Sequence, residues 1–290
     1  MRPTTVESTA GTFGRNTATT ILLVPSLLLL VLFLGLPLVV VFLSSLQPNA
    51  LLKFTGPALN NYVYLTTTGY YADVVIRTVR LAFVTTVLAL PLGYALAYFL
   101  RGLSGRAGNL AIMGLTFPIL AGPLIVIIGW MALLADGGPL LSPLIKLGLF
   151  SRLRLVGTET AVVITLVQFV LPFVVLTLYT SLRQIPDQVL EAASNLGASA
   201  SQRFWNVTFP LSLHGVLSST IIAFSLAASS YVSPYYLGGA AQLTLTTLIA
   251  QFTTATYNSE LAAAAAILLL VLMIALLAVF TAVFRRFIRS

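Results

Sequence analysis

Residues 191–210 contain the most informative spacing of side chains in the chain. Glu191, Ala192 and Ala193 are followed by Gly197, and Pro210 ends the stretch. One carboxylate among small residues is suited to close contact with another protein rather than to making or breaking bonds. Because this short polar stretch lies between two long apolar segments, it is typical of a segment that leaves a bilayer to be held by a soluble partner.

A second group of candidate residues lies in apolar surroundings, where each could contact a solute. An indole such as that of Trp130 can stack on a cation. Tyr231 and Ser233 lie beside Pro234, so a ring, a hydroxyl and a bent backbone occur together, and Gln168 is a lone amide in an apolar run. We interpret these residues as lining a substrate pathway, with helix packing as the alternative for each: Trp130, Gln168, Tyr231 and Ser233.

Few groups in the chain could perform catalysis. The sequence has no cysteine and only one histidine, which excludes disulfides, thiolate metal sites and cysteine nucleophiles. We therefore expect no catalytic residue and no metal site. The acids near the predicted membrane-spanning segments fall close to their ends, where solvated terminal charge is the favoured interpretation: Asp73, Asp136, Glu159 and Glu260.

Composition excludes a soluble globular domain. The chain is 58% hydrophobic and 8% charged, with a mean hydropathy of +1.01. Its net charge of +8 comes from basic residues scattered singly between apolar runs. We interpret this charge as orienting the chain in a bilayer and expect no nucleic-acid partner.

Apolar run lengths predict an all-α integral membrane protein, because about 20 apolar residues cross one bilayer. Six transmembrane helices are predicted over 21–46, Val74–Leu100, Leu110–Leu134, Thr160–Leu182, 212–237 and Leu261–Phe284. Several contain proline, which bends helices and is common where spans line a cavity: Pro25, Pro37, Pro91, Pro118, Pro123, Pro172 and Pro234.

The predicted organisation is a disordered tail over 1–20, a transmembrane domain over 21–284 and a basic tail over 285–290. An even number of spans places both termini on one side of the membrane. That side carries the larger share of Arg and Lys, which predicts cytoplasmic termini for a multi-pass protein.

The loop over 183–211 is predicted to form two short helices joined by a hinge. Pro186 and Asp187 favour a helix start, and Gly197 can adopt the left-handed conformation that ends a helix. Ser199 and Gln202 have the spacing of a capping box, and Pro210 is expected to close the segment. So short a helix needs a docking surface. On periodicity alone that surface is either a partner protein or the bilayer.

These motifs together resemble the permeases of ABC importers, in particular those of the spermidine/putrescine type. The loop beginning EAA is similar to their signature loop, with Phe209 where leucine is usual. GYALAYFLRGL at the end of the second span is similar to their GYPxAYxLA run, with Ala95 in place of proline. Trp130 with Leu134, LPF at 171–173 and YVSPYYLGG also fit, so the resemblance covers all but the first 20 or so residues.

The resemblance implies a six-span, type I importer permease fold in a bacterial inner membrane. It implies a second permease subunit (a related chain or a copy), a dimeric ATPase and a periplasmic or extracellular binding protein as partners. The loop would be the coupling segment that docks on the ATPase, and its predicted coupling residues are Glu191, Ala192, Ala193, Gly197, Ala198, Ser199, Phe204 and Pro210. Because the chain has no phosphate-binding G-x-x-x-x-G-K-[ST] motif, ATP and Mg²⁺ are expected on the partner ATPase, with no cofactor here.

The expected cargo is a small amine-bearing solute, either polyamine-like or an amino-acid-like zwitterion. Polyamine-transporting relatives tend to have an acid where Pro234 lies, and this chain has none there. The alternative function is a secondary transporter driven by an ion gradient. That function would require a buried carboxylate or a coupling-ion site within the spans, and the sequence shows neither.

Overall fold

The computed structural model describes residues 23–48, 59–146 and 155–289. These residues form helices without any β-strand, in agreement with the predicted class. In chain order the helices are α1 (Leu23–Ser45), α2 (Asn60–Thr67), α3 (Gly69–Gly102), α4 (Gly105–Ala121), α5 (Pro123–Leu134), α6 (Leu141–Lys146), α7 (Glu159–Arg183), α8 (Asp187–Asn195), α9 (Ala200–Leu211), α10 (Leu213–Ser229), α11 (Leu245–Thr254) and α12 (Ser259–Arg289). The tail predicted over 1–20 lies outside the described residues.

Among these residues, four helices are each long and apolar enough to cross a membrane: α1, α3, α7 and the Ser259–Phe284 part of α12. Two more crossings are bent pairs, α4 with α5 and α9 with α10. Counting each pair as one crossing gives the six predicted spans. Residues 285–289, predicted as a tail, continue the helix of α12.

The third predicted span, Leu110–Leu134, is not one helix. α4 and α5 meet at Gly122 with a bend of 97°. Gly122 has φ +81°, a conformation that side chains with a β-carbon rarely adopt, and Pro123 then starts α5 with its fixed φ. The apolar run over 110–134 is continuous, but the Gly122–Pro123 pair divides it into two helices.

The fifth predicted span, 212–237, is also wrong at its end. α10 stops at Ser229, Ser230 is extended, and Pro234–Gly238 forms a separate π-helical turn. Helix α11 was not predicted from the sequence. Between Arg203 and Glu260 there is no acidic residue, lysine or arginine, so charge could not mark where one helix ends and the next begins.

The centre of the bundle is formed by α3, α7 and α10, which pack against one another along their length. Small residues make this close approach possible, as is common between membrane helices. A β-carbon on Gly93 of α3 would lie 2.5 Å from Cγ1 of Val174 on α7. One on Gly215 of α10 would lie 2.4 Å from Cβ of Ser181 on α7. Both glycines are therefore needed for packing.

α1 lies outside this centre and packs along α12. Most of its side chains are exposed, as expected for a helix facing lipid or another subunit. Its end is fixed by hydrogen bonds to α2: Asn61 Nδ2 donates to the carbonyl oxygens of Ser45 and Gln47, each at 2.9 Å. The Tyr62 hydroxyl lies 2.6 Å from Ser45 Oγ.

Candidate functional site

The loop over 183–211 has the predicted two helices, α8 and α9. α8 ends in a left-handed turn at Gly197, φ +83°, and the amide of Ala198 donates to the carbonyl of Ala193 at 3.0 Å. Ser199 caps α9: its Oγ accepts from the amide of Gln202, whose side chain accepts from the Ser199 amide. The predicted hinge and capping box are confirmed as local structure.

The segment ends close to Pro210, as predicted: α9 runs one residue beyond this proline to Leu211, and the chain then bends by 64° at Ser212 before α10. A π-helical turn over Phe204–Thr208 precedes the proline, in which the Phe209 amide donates to the Phe204 carbonyl. Such a widened turn accommodates a proline, which lacks a donor of its own, without ending the helix.

The loop is held to α3 as well as to the helices that precede and follow it. Arg101, at the end of α3, donates from Nη2 to the carbonyl of Ile185 at 3.1 Å and to Asp187 Oδ1 at 3.0 Å. Its side chain is only 12% exposed. This clamp fixes the start of α8 against α3.

A second contact joins α9 to the same helix. The ring of Phe204 packs edge-on against Tyr94 and Tyr98, with centroids 5.6 Å apart in both pairs. The Tyr94 hydroxyl lies 2.8 Å from Ser212 Oγ, at the bend. α3 is therefore attached to the loop near both of the loop's ends.

The exposed face of the loop points away from these contacts. Glu191 and Ala192 are exposed, Ala193 is half-buried, and Leu196 beside the hinge is 88% exposed. With Trp205, which is 60% exposed, Leu196 gives the loop two large apolar side chains that are free to contact another protein. We call the end of the bundle that carries this loop the coupling end, and the opposite end the far end.

Three of the four predicted pathway residues line one cavity of about 410 Å³, enclosed by the α4–α5 bend, α7 and the end of α10. They are Gln168, Tyr231 and Ser233. Gln168 lies nine residues into α7, about 14 Å from its far end at 1.5 Å per residue. The cavity is therefore at membrane depth.

The fourth predicted residue, Trp130, does not line the cavity but contacts Gln168, which does. Its indole Nε1 donates to Gln168 Oε1 at 3.2 Å. Since the amide oxygen is engaged by the indole, the amide NH₂ of Gln168 is the group left to donate toward a solute. In this structure, Trp130 orients an amide that lines the cavity.

Other residues at these sites were not identified as functional from the sequence. Ser229 and Ser230 add hydroxyl groups to the cavity wall, and Thr165 lines it from α7. Arg101 was interpreted only as an orienting charge, because its partner Asp187 is 86 positions away. The GYALAYFLRGL motif, which contains Tyr94, Tyr98 and Arg101, was the available signal.

At the far end of the bundle, polar contacts join α3 to α7 and to the chain at the start of α11. Arg80 on α3 forms an ion pair with Glu159 at the start of α7. Arg77 donates to the carbonyl of Leu243 at 3.4 Å, and the Leu245 amide donates to Thr78 Oγ1 at 2.9 Å. Glu159, Arg77 and Arg80 therefore join helices at this end of the bundle.

Comparison with known proteins identifies the family to which a chain of this architecture belongs. Residues 89–290 match the family described as binding-protein-dependent transport system inner membrane component. The spermidine/putrescine transport system permease protein PotB of Escherichia coli is 31% identical over 76% of this chain and 81% of its own length. The PotB protein of Haemophilus influenzae is 32% identical over 59% of this chain and 60% of its own length.

Solved structures agree with the fold. A bacterial ABC transporter involved in the import of the acidic polysaccharide alginate has a chain that matches with a TM-score of 0.75. The match has 15% identity and covers 94% of this chain and 96% of the other. With 202 of its residues matching the family model, the chain belongs to the binding-protein-dependent transport system inner membrane components, the permease subunits of ABC importers.

Proposed function

We propose that this permease carries a small amine-bearing solute, and that an amino-acid-like zwitterion fits its cavity better than a polycation. The observation that supports this is the cavity lining. It offers the amide NH₂ of Gln168, the hydroxyls of Ser230 and Ser233 and the ring of Tyr231, and its lining residues include no carboxylate. The hydroxyls of Thr165 and Ser229 instead donate to backbone carbonyls of their own helices. An ammonium group is attracted to an aromatic face, and a carboxylate accepts hydrogen bonds from amide and hydroxyl donors.

The names of the relatives support a solute that carries an amine, but they do not fix the length or the charge of that solute. PotB of both bacteria is a spermidine/putrescine permease by name, and a polycation would gain most from buried acids. The cavity of about 410 Å³ falls within the range of small-molecule sites. The family membership gives no support to the ion-gradient-driven alternative.

Delivery and energy would come from other chains. One solved relative of this fold is an alginate transporter in complex with a periplasmic protein that holds an alginate pentasaccharide. A second related permease, PotC of Haemophilus influenzae, is 27% identical over 71% of this chain. We propose a binding protein, a second permease subunit and a dimeric ATPase that binds ATP and Mg²⁺ as the partners here, with the coupling loop docked on the ATPase.

Uptake measurements test the cargo. In proteoliposomes containing the whole complex and its binding protein, we compare putrescine, 4-aminobutyrate and sulfate. Putrescine and 4-aminobutyrate have the same four-carbon chain and differ at one end, where an amine replaces a carboxylate. We expect 4-aminobutyrate to be carried fastest and sulfate not at all. Gln168→Ala should slow uptake about 5-fold, as expected for loss of roughly one net hydrogen bond.

Two controls accompany this prediction. The binding protein's affinity should stay unchanged, because Gln168 lies in a different chain. Trp130→Phe keeps an aromatic ring but removes the indole donor, so it should slow uptake less than Gln168→Ala. Transport of sulfate at full rate, together with wild-type behaviour of Gln168→Ala, would contradict the proposed cargo.

We also propose that the coupling end faces the cytoplasm, with both termini. Since the natural sequence has no cysteine, single cysteines report position without background. Ser201 lies on α9 at the coupling end, and Ser142 on α6 lies toward the far end. A membrane-impermeant thiol reagent added outside intact cells should modify Ser142→Cys and leave Ser201→Cys unmodified. The reverse pattern would invert the orientation.

A further inference from the structure

An apolar groove opens on the surface of the bundle between α3 and α9. It has a volume of about 500 Å³ and is lined by α3 from Leu90 to Tyr98, by three aromatic rings of α9 and by Val216 of α10. None of its lining residues lines the cavity at Gln168, which we call the inner cavity. We call this second site the leaflet groove, and it is separate from the site proposed for the transported solute.

The position of the leaflet groove along α3 matches one leaflet of a bilayer. At 1.5 Å per residue, Leu90 and Tyr98 lie about 18 Å and about 6 Å from the end of α3 at Gly102. One leaflet contributes about half of a hydrocarbon core that is roughly 30 Å thick. The groove therefore lies at the depth of the acyl chains in the leaflet at the coupling end.

The interior of the leaflet groove offers a ligand little to hydrogen-bond. Its lining contains no charged side chain, and the Tyr94 hydroxyl already lies 2.8 Å from Ser212 Oγ. Ala95 is small and exposed, so it leaves the groove open on the side of α3. A hydrocarbon chain suits such a lining, because it needs only packing contacts.

Hydrogen-bond donors without acceptors lie on the coupling-end side of the groove. Within the described part of the chain, the Tyr98 hydroxyl and the Trp205 indole N–H make no hydrogen bond, and these side chains are 45% and 60% exposed. Arg203, one residue before Phe204, donates from Nη1 to Ser194 Oγ at 2.7 Å. Its buried Nε has no acceptor among the described residues. A phosphate, which carries negative charge and only acceptors, is complementary to these donors.

We propose that the leaflet groove binds an anionic phospholipid of the coupling-end leaflet, with one acyl chain between α3 and α9 and the phosphate near Tyr98, Trp205 and Arg203. A zwitterionic head group brings its own ammonium, which Arg203 would repel. An apolar helix of a partner subunit would fill the groove but leave the donors without acceptors, so the observations favour the lipid.

The bound lipid would hold α9 against α3, next to the bend that precedes α10. Of the two exposed apolar side chains of the loop, Trp205 lines the leaflet groove and Leu196 does not. The inference goes beyond the proposed function. It depends neither on the identity of the cargo nor on which side of the membrane the coupling end faces.

Photolabelling of the assembled complex tests the site. The probe is phosphatidylglycerol with a diazirine on one acyl chain, in phosphatidylcholine nanodiscs that hold the complex, and mass spectrometry identifies the labelled peptides. We expect more label in residues 90–98 and 204–216 than in α1, whose side chains are mostly exposed. Ala95→Phe fills the groove from an exposed position and should abolish that excess. Leu96→Phe is the matched control, since it places the same ring at the next exposed position, outside the lining.

A second probe tests the head group. Phosphatidylcholine with the same diazirine chain should label the groove about 5-fold less, as expected for loss of roughly one net hydrogen bond. Arg203→Gln should remove this preference for phosphatidylglycerol and leave the labelling of α1 unchanged.

Three results would contradict the proposal. Labelling of the groove no stronger than that of α1, or unaffected by Ala95→Phe, would overturn the site. Equal labelling by the two probes would overturn the anionic head group. Labelling that is present in the isolated chain and lost in the assembled complex would show that another subunit covers the groove, and would overturn the lipid as its occupant.

Discussion

Gly197→Val is expected to abolish uptake by the assembled transporter while the chain still inserts in the membrane. Gly197 has φ +83°, which a β-branched residue strongly disfavours. A β-carbon there would meet no atom within 4 Å, so the variant acts on backbone conformation and not through a steric clash. Straightening or displacing this turn moves α8 relative to α9 and spoils the surface that we propose docks on the ATPase.

The measurements are solute uptake and solute-stimulated ATP hydrolysis by the complex, each normalised to the amount of inserted chain. Gly197→Asn should retain most activity, because asparagine tolerates the left-handed region. Gly102→Val is the matched control at the coupling end, since Gly102 also has open space around it and an ordinary φ. Normal uptake by Gly197→Val at normal abundance would show that the loop does not transmit the ATPase cycle.

Gly93→Ala is expected to have the largest effect on stability. Its new β-carbon would lie 2.5 Å from Val174 Cγ1, between two helices at the centre of the bundle. Overpacking of this kind costs about 1–3 kcal/mol. The thermal midpoint of the detergent-solubilised protein, measured by loss of the monodisperse chromatographic peak, should fall accordingly.

A second substitution identifies the cause. Val174→Ala removes the methyl group that the new β-carbon would strike, so the double variant should recover much of the lost stability. Gly114→Ala on α4 is the control, because no atom lies within 4 Å of a β-carbon there. If Gly93→Ala melts like the wild type, the contact between α3 and α7 is looser than the structure indicates.

Features set by neighbouring residues were predictable from the sequence. The hinge at Gly197 and the cap at Ser199 depend on residues a few positions apart, so their spacing alone indicated the geometry. The number of crossings followed from apolar run lengths, for the same reason. The GYALAYFLRGL motif was recognised by resemblance, yet only the structure gives a physical reason for its first glycine, Gly93, which is its close contact with Val174.

Features that depend on distant residues were not predictable. The Arg101 clamp joins residues on different helices, and the inner cavity is assembled from three separate regions. Hydropathy also misled in the third and fifth predicted spans, because an average along the chain detects neither Gly122 nor the break at Ser230. The four pathway candidates were selected singly by residue type, and that rule could not anticipate that Trp130 binds Gln168.

Helix α10 lies between two breaks in the chain, so it can tilt as one rigid rod. It is a 17-residue rod with a bend of 64° at Ser212 and an extended residue at Ser230. At 1.5 Å per residue the rod is about 25 Å long, so a tilt of about 10° at one end displaces the other by about 4 Å. A small rotation of the coupling loop would thus be amplified into a displacement larger than a water molecule at Tyr231. The length of α10 therefore sets the size of that displacement.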